Sequence, residues 1–182
     1  ESSNDNIESE SSSDGDQEDD EDEIKENFNF NLKQGDLLST DKMKQLFPKS
    51  LDRLDRESIK AESTGAFGIK IATVKSVYRD NDKSVKLEII DFGGIPGVAQ
   101  MIAAWSKSDI YHEDEDGFEK VTEWKGHKAF EKSDLKDNSS SIAILYKNRF
   151  LINASADGMA IGKLKDALDD SFMDELDDLK ID

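Results

Sequence analysis

The sequence predicts an α+β fold: a single antiparallel sheet of about five to seven strands with helices packed on it, preceded by a disordered acidic tail. Three observations carry this reading. Runs of β-branched and aromatic residues alternate with charged ones between residues 68 and 156, short polar turns separate the runs, and helical spacing of apolar residues is confined to the flanks and one interior stretch. Strands joined by so few residues must pair antiparallel, because a parallel pair needs a crossover of a dozen or more.

The elements follow in order. From Glu1 to Glu26, "ESSNDNIESESSSDGDQEDDEDEIKE" offers only Ile7 and Ile24 as apolar surface and sets 13 acids against one lysine. With so little to bury, residues 1–35 read as a disordered tether and residues 36–182 as a single α+β domain. Thr40 and Asp41 read as caps of a short helix carrying Met43, Leu46 and Phe47, which Pro48 closes. "GIKIATVKSVYRD" and "SVKLEII" flank the turn "NDK" as a hairpin, with Val85, Leu87 and Ile89 alternating against Lys86 and Glu88. "FEKVTEW", "HKAFEKSDL", "SIAILY" and "RFLINASA" continue as a meander. Two helical patterns close the chain: Ile161, Leu164 and Leu168, then Phe172, Leu176 and Leu179 with Ser171 as its cap.

Between hairpin and meander lies "DFGGIPGVAQMIAAWSK". Pro96 suits a first helical turn, and from Val98 to Trp105 only Gln100 is polar. A helix apolar on all sides is buried or meets a partner. Core packing accounts for most such clusters; the sharper alternative is that Phe92, Ile95, Met101 and Trp105 line an apolar pocket or a contact face.

Composition narrows the function. With 42 acids against 24 bases, the net charge of −18 argues against nucleic acid and anionic membrane surfaces, which need a cationic face. No cysteine is present, which removes disulfides, thiolate nucleophiles and cysteine zinc sites. No run approaches the roughly 18 apolar residues of a membrane span, so the domain reads as soluble. A chain that begins at Glu1 rather than Met reads as one whose leading segment was processed or deleted.

The nearest approach to a site of chemistry is "YHEDEDGFEKVTEW". Aligned on Gly117, a calcium loop would take Asp114 at position 3, Asp116 at position 5 and Glu123 at position 12. Position 1 is then His112, a poor ligand for a hard cation, position 9 is Lys120, and the flanks are strand formers. Asp116-Gly117 reads instead as the turn pair of a hairpin, with calcium the alternative cofactor and otherwise none. Catalysis has little to build on. His112 and His127 have no serine or cysteine nucleophile on a strained turn, and the remaining option is a hydrolase or isomerase using Asp91 with a second carboxylate or with His127 across the sheet.

The segments "LFPKSLDRL", "VYRDNDKSVKLEIIDFGG", "DGFEKVTEWKGHKAFEK" and "YKNRFLINASADG" together resemble a family of uncharacterised bacterial cell-envelope proteins, often lipoproteins, including ones from Bacteroidetes. They cover most of residues 44–180; "PKSLDRLDRES" departs from the Gly-Trp-like turn of that family. The resemblance implies a periplasmic or surface-exposed location, with the acidic tail between a lipidated cysteine, absent here, and the domain. It carries over no catalytic residues. A PsbP-like sandwich is a second analogy, resting on element order alone. The expected function is therefore a non-enzymatic binding or interaction module of the envelope. Its partner would be an unknown protein or a small apolar ligand, with membrane contact only through an anchor absent from this chain.

Overall fold

The computed structural model describes residues 35–66, 69–95 and 110–178, all within one compact unit, Asn31–Asp182. Nine strands form a single antiparallel sheet: β1 (Ser50–Leu51), β2 (Leu54–Ala66), β3 (Ile69–Asp80), β4 (Lys83–Asp91), β5 (Tyr111–Asp114), β6 (Gly117–Trp124), β7 (His127–Asp134), β8 (Ser139–Tyr146) and β9 (Phe150–Asp157). Their order across the sheet is β1-β2-β3-β4-β9-β8-β7-β6-β5. Two meanders therefore meet where β4 pairs with β9, in a register running from Ser84↔Asp157 to Asp91↔Phe150. The tail over 1–35, the apolar stretch from Val98 to Trp105 and Leu179 lie outside the described residues, apart from Gly35.

The antiparallel sheet is as the alternating runs predicted, but its strands number nine rather than five to seven. The strands beyond the prediction are β1, β2 and β5, which stand at or beside the sheet's two edges. An edge strand need bury only part of one face, so "LDRESIKAESTGA" folds as β2 with half-buried Ile59 and Ala61 as its apolar contribution beyond Leu54 among the side chains described. All four residues of β5 are exposed. Neither carries the alternation that marks a half-buried strand.

The register stacks one face into cross-strand rows. Val74, Ile89, Ile152, Ile144 and Ala129 stand opposite one another in turn, all fully buried. The next row is Ser76, Leu87, Ala154, Ile142 and Glu131. Helices α1 (Thr40–Gln45), α2 (Ile161–Leu168) and α3 (Asp174–Asp177) bury Met43, Leu164, Leu168 and Leu176 in that same core. Helix α1 is capped by Ser39, whose Oγ accepts from the Lys42 N–H at 3.4 Å, one residue earlier than the expected Thr40. At the C-terminus no new helix starts at Ser171, because a π-helical turn, Asp169–Met173, joins α2 to α3. Its geometry answers to the spacing of Leu164, Leu168, Phe172 and Leu176. Four-residue steps overshoot an α-helical turn by about 40° each, and the wider π turn takes that drift back.

No described helix packs on the opposite face. At one end of that face Phe92 and Leu145 form a second, small apolar cluster with Ile71 and Leu151.

Candidate functional site

The described residues singled out in the sequence do not gather in one place. Asp91, at the end of β4, is wholly buried, and both of its oxygens are engaged. Oδ1 accepts from the Gly93 N–H (2.8 Å) and Arg149 Nε (3.0 Å), while Oδ2 accepts from the Leu38 N–H (2.7 Å) and Arg149 Nη2 (2.9 Å). Arg149 also donates to the Asp36 carbonyl at 2.7 Å. The carboxylate ties residues 36–38 and the Gly93-Gly94 turn, both glycines at φ +65°, to the end of the sheet. Phe92 and Ile95 beside it are 1% and 0% exposed. Both are therefore buried, Phe92 within the small cluster it forms with Leu145; Met101 and Trp105 lie outside the described residues.

His127 shares a face with Asp91, since the row Asp91, Phe150, Tyr146 leads toward it. Three strand spacings, about 14 Å, separate the two, and Phe150 and Tyr146 stand between. They do not converge on a substrate position. The His127 ring instead packs on Tyr146 with centroids 4.6 Å apart. Burial lowers the His127 pKa, against an upward pull from Asp177. Tyr146 donates its hydroxyl to Asp177 Oδ1 at 2.5 Å, and burial together with that bond pushes the phenol well above its ordinary range.

The acidic knot forms a hairpin. The turn residues are Glu115 and Asp116, one earlier than expected, and Gly117 opens β6 opposite Asp114. Asp114 Oδ1 accepts from the N–H groups of Asp116 (2.8 Å) and Gly117 (3.2 Å), and Oδ2 lies 3.2 Å from His112 Nε2. The Asp116 N–H, with His112 adding to it, holds the Asp114 carboxyl below the usual range. Asp116 pairs with Lys136 at 2.6 Å. Glu123 stands opposite Lys128 at the far end of β6, about 20 Å along the strand. Among the described residues no three His, Asp or Glu side chains are placed to hold a metal ion.

One buried charge escaped the sequence reading. Glu131 on β7 is 3% exposed and lies 2.7 Å from Lys165 of α2 and 3.6 Å from Lys120 of β6. The signal was there: Ala129, Glu131 and Ser133 are the inward set of "HKAFEKSD", so alternation places Glu131 under a helix. These groups border a hollow of about 510 Å³ with Trp124, Phe118 and Ile161. Its other acids are also matched, Asp166 with Lys163 and Asp169 with Lys125.

The bare face holds a different hollow, of about 370 Å³, centred on β8 and β9. Ser141, Ala143 and Ser155 form its floor, while Val77, Phe130 and Asn153 stand around it. Small side chains flanked by larger ones leave a dent in what would otherwise be a level sheet surface. Glu88 at the rim is held by Lys75 (3.0 Å) and Asn153 (3.1 Å). Lys86, also at the rim, has no carboxylate partner among the described residues.

Comparisons with protein-family models, curated proteins and solved structures return no match to this chain. The candidate site therefore rests on geometry alone, and the likeness to envelope proteins on the sequence segments quoted for it.

Proposed function

We propose that the domain is a non-enzymatic binding module whose ligand site is the hollow on the bare face of the sheet. The observation that carries this reading is the segregation of every described helix to one face, which leaves Ser141, Ala143 and Ser155 as a floor that no described helix covers. A hollow of this size falls within the usual range for small-molecule sites. Its lining defines the ligand class: an apolar body against Val77, Ala143 and Phe130, with one anionic group within reach of Lys86. Among the described residues no hydroxyl of Ser141 or Ser155 is hydrogen-bonded to a base, so the reading is binding without turnover. The location that goes with it is the bacterial envelope, supported by the sequence resemblance.

The test uses 8-anilinonaphthalene-1-sulfonate, an apolar body with one anion. Amide NMR of the labelled chain should show saturable shifts concentrated on Ser141, Ala143, Asn153 and Ser155. Ala143→Trp should abolish them by filling the floor, and Lys86→Gln should weaken binding by several-fold. Shifts centred elsewhere, or binding that survives Ala143→Trp unchanged, would overturn the proposal.

A further inference from the structure

The two edges of the sheet are built differently. β5 is short, and its exposed Glu113 and Asp114, with Glu115 in the turn that follows, carry like charges that discourage another strand from joining. β2 is long. β1 and the residue before it cover Leu54 to Arg56 of its outer side, through the pairs Leu51↔Leu54 and Ser50↔Asp55 and the Arg56 N–H donating to the Lys49 carbonyl at 2.9 Å. The inner side is paired with β3 throughout. From Glu57 to Gly65, alternate residues of β2 therefore turn N–H and C=O groups outward with no strand to receive them among the described residues. No proline or glycine interrupts this edge before Gly65, and its register irregularity lies at its start, between Arg56 and Ser58.

The charges on this edge select an occupant. Two copies joined antiparallel through β2 obey a two-fold axis perpendicular to the sheet, so residues i and j face each other with i + j constant. That axis keeps the two bare faces on one side, which requires the sum to be even and centres the contact on a residue. Lys60 and Glu62 are both exposed and share the bare face of β2. Centred on Ala61, Lys60 of each copy stands opposite Glu62 of the other, twice per dimer. The flanking pairs are then Ile59 with Ser63 and Ser58 with Thr64. Centred on Lys60 or on Glu62, the same axis would set like charges against each other. Small or half-buried side chains at Ala61 and Ser63 leave the backbones free to approach.

We infer that a second copy of this chain docks on the outer edge of β2, antiparallel and centred on Ala61, with reciprocal Lys60–Glu62 pairs. The contact is one strand deep, below the ~1,200 Å² of a standard stable interface, so the dimer is reversible and concentration-dependent. Its main-chain hydrogen bonds supply attachment and its charge pairs supply register.

Sedimentation velocity of the full chain over a concentration series tests this directly. The wild-type chain should dimerise reversibly. Lys60→Glu and Glu62→Lys alone should each weaken the dimer by about tenfold, because each turns two opposite-charge cross-strand pairs into like-charge pairs. The double variant K60E/E62K restores both pairs with reversed polarity, and its dissociation constant should return to within about threefold of wild type. Both positions are exposed on an edge, and circular dichroism confirms that each variant is folded. A chain monomeric throughout, a dimer indifferent to the single reversals, or a double variant as weak as the singles would each overturn the assignment.

Discussion

Replacing Arg149 with methionine should be among the most damaging single changes at the rim of this sheet. The substitution keeps an apolar stem of similar length and removes the guanidinium. Asp91 then keeps its two backbone donors, Leu38 and Gly93, but loses both charge-assisted bonds and its only counter-ion among the described residues. The pair is well shielded, with side-chain exposures of 14% for Arg149 and 0% for Asp91. An uncompensated buried charge of this kind costs about 3–5 kcal/mol. For a domain of this size that corresponds to a fall in Tm of roughly 10 °C. Urea unfolding of wild type, Arg149→Met, Asp91→Asn and the double variant measures the coupling. The double variant should lose clearly less than the sum of the singles, because neither partner is then left charged and alone. A loss below about 1 kcal/mol for Arg149→Met would refute the reasoning, since the carboxylate would then be finding solvent that the geometry denies it.

Three further outcomes can be checked. Gly117→Ala should cost about 2–4 kcal/mol in urea unfolding, because its backbone sits at φ +151° and an added Cβ would lie 2.0 Å from the Ser133 carbonyl oxygen; a neutral result would mean that β6 can shift away from β7 freely. The NMR titration midpoint of His127 should fall below the ordinary 6.5, with burial as the main cause. Since the unfolded chain then binds more protons, His127's contribution to stability is full above about pH 6.5 and is lost as pH falls from there toward the folded value. A His127→Gln variant should accordingly show a flatter melting profile over that window, and a midpoint at or above 6.5 would reverse the sign. Millimolar calcium should move the amides of residues 114–123 no more than magnesium does, because the Asp114 carboxylate already accepts two backbone N–H groups and Asp116 is paired with Lys136; saturable, calcium-specific shifts there would restore the calcium reading.

The interior of the sheet was legible because burial on one face forces period two on the sequence. Val85, Leu87 and Ile89 in β4, and the alternating residues of β7, β8 and β9, give themselves away in this manner. The edges were not, for the complementary reason. Glu57, Lys60 and Glu62 of β2 face water, so nothing in their chemistry records that the backbone is extended. Strand order was hidden too. Local turns show that neighbours in sequence pair as hairpins, whereas the docking of β4 on β9 depends on which apolar rows match across the junction. Ile89 meeting Ile152 and Leu87 meeting Ala154 is a fit between residues more than sixty positions apart.

Register decides what each acid of this chain does. Asp91 falls in the buried phase of β4, and a carboxylate there folds stably only when donors surround it, as Arg149 and two backbone N–H groups do. Glu131 falls in the buried phase of β7 and recruits Lys165 and Lys120 in the same way. At the turn that follows β5, Asp114 caps the backbone and Asp116 pairs with Lys136. The hollow on the bare face arises from the opposite condition. Ser141, Ala143 and Ser155 lie in the outward phase of β8 and β9, where larger residues would have been tolerated, and their smallness serves no packing need of the described core. A place where the fold permits bulk and the sequence declines it is where a ligand's volume is most economically accommodated, and that is why the floor of the hollow, rather than the acidic knot, is the surface to probe.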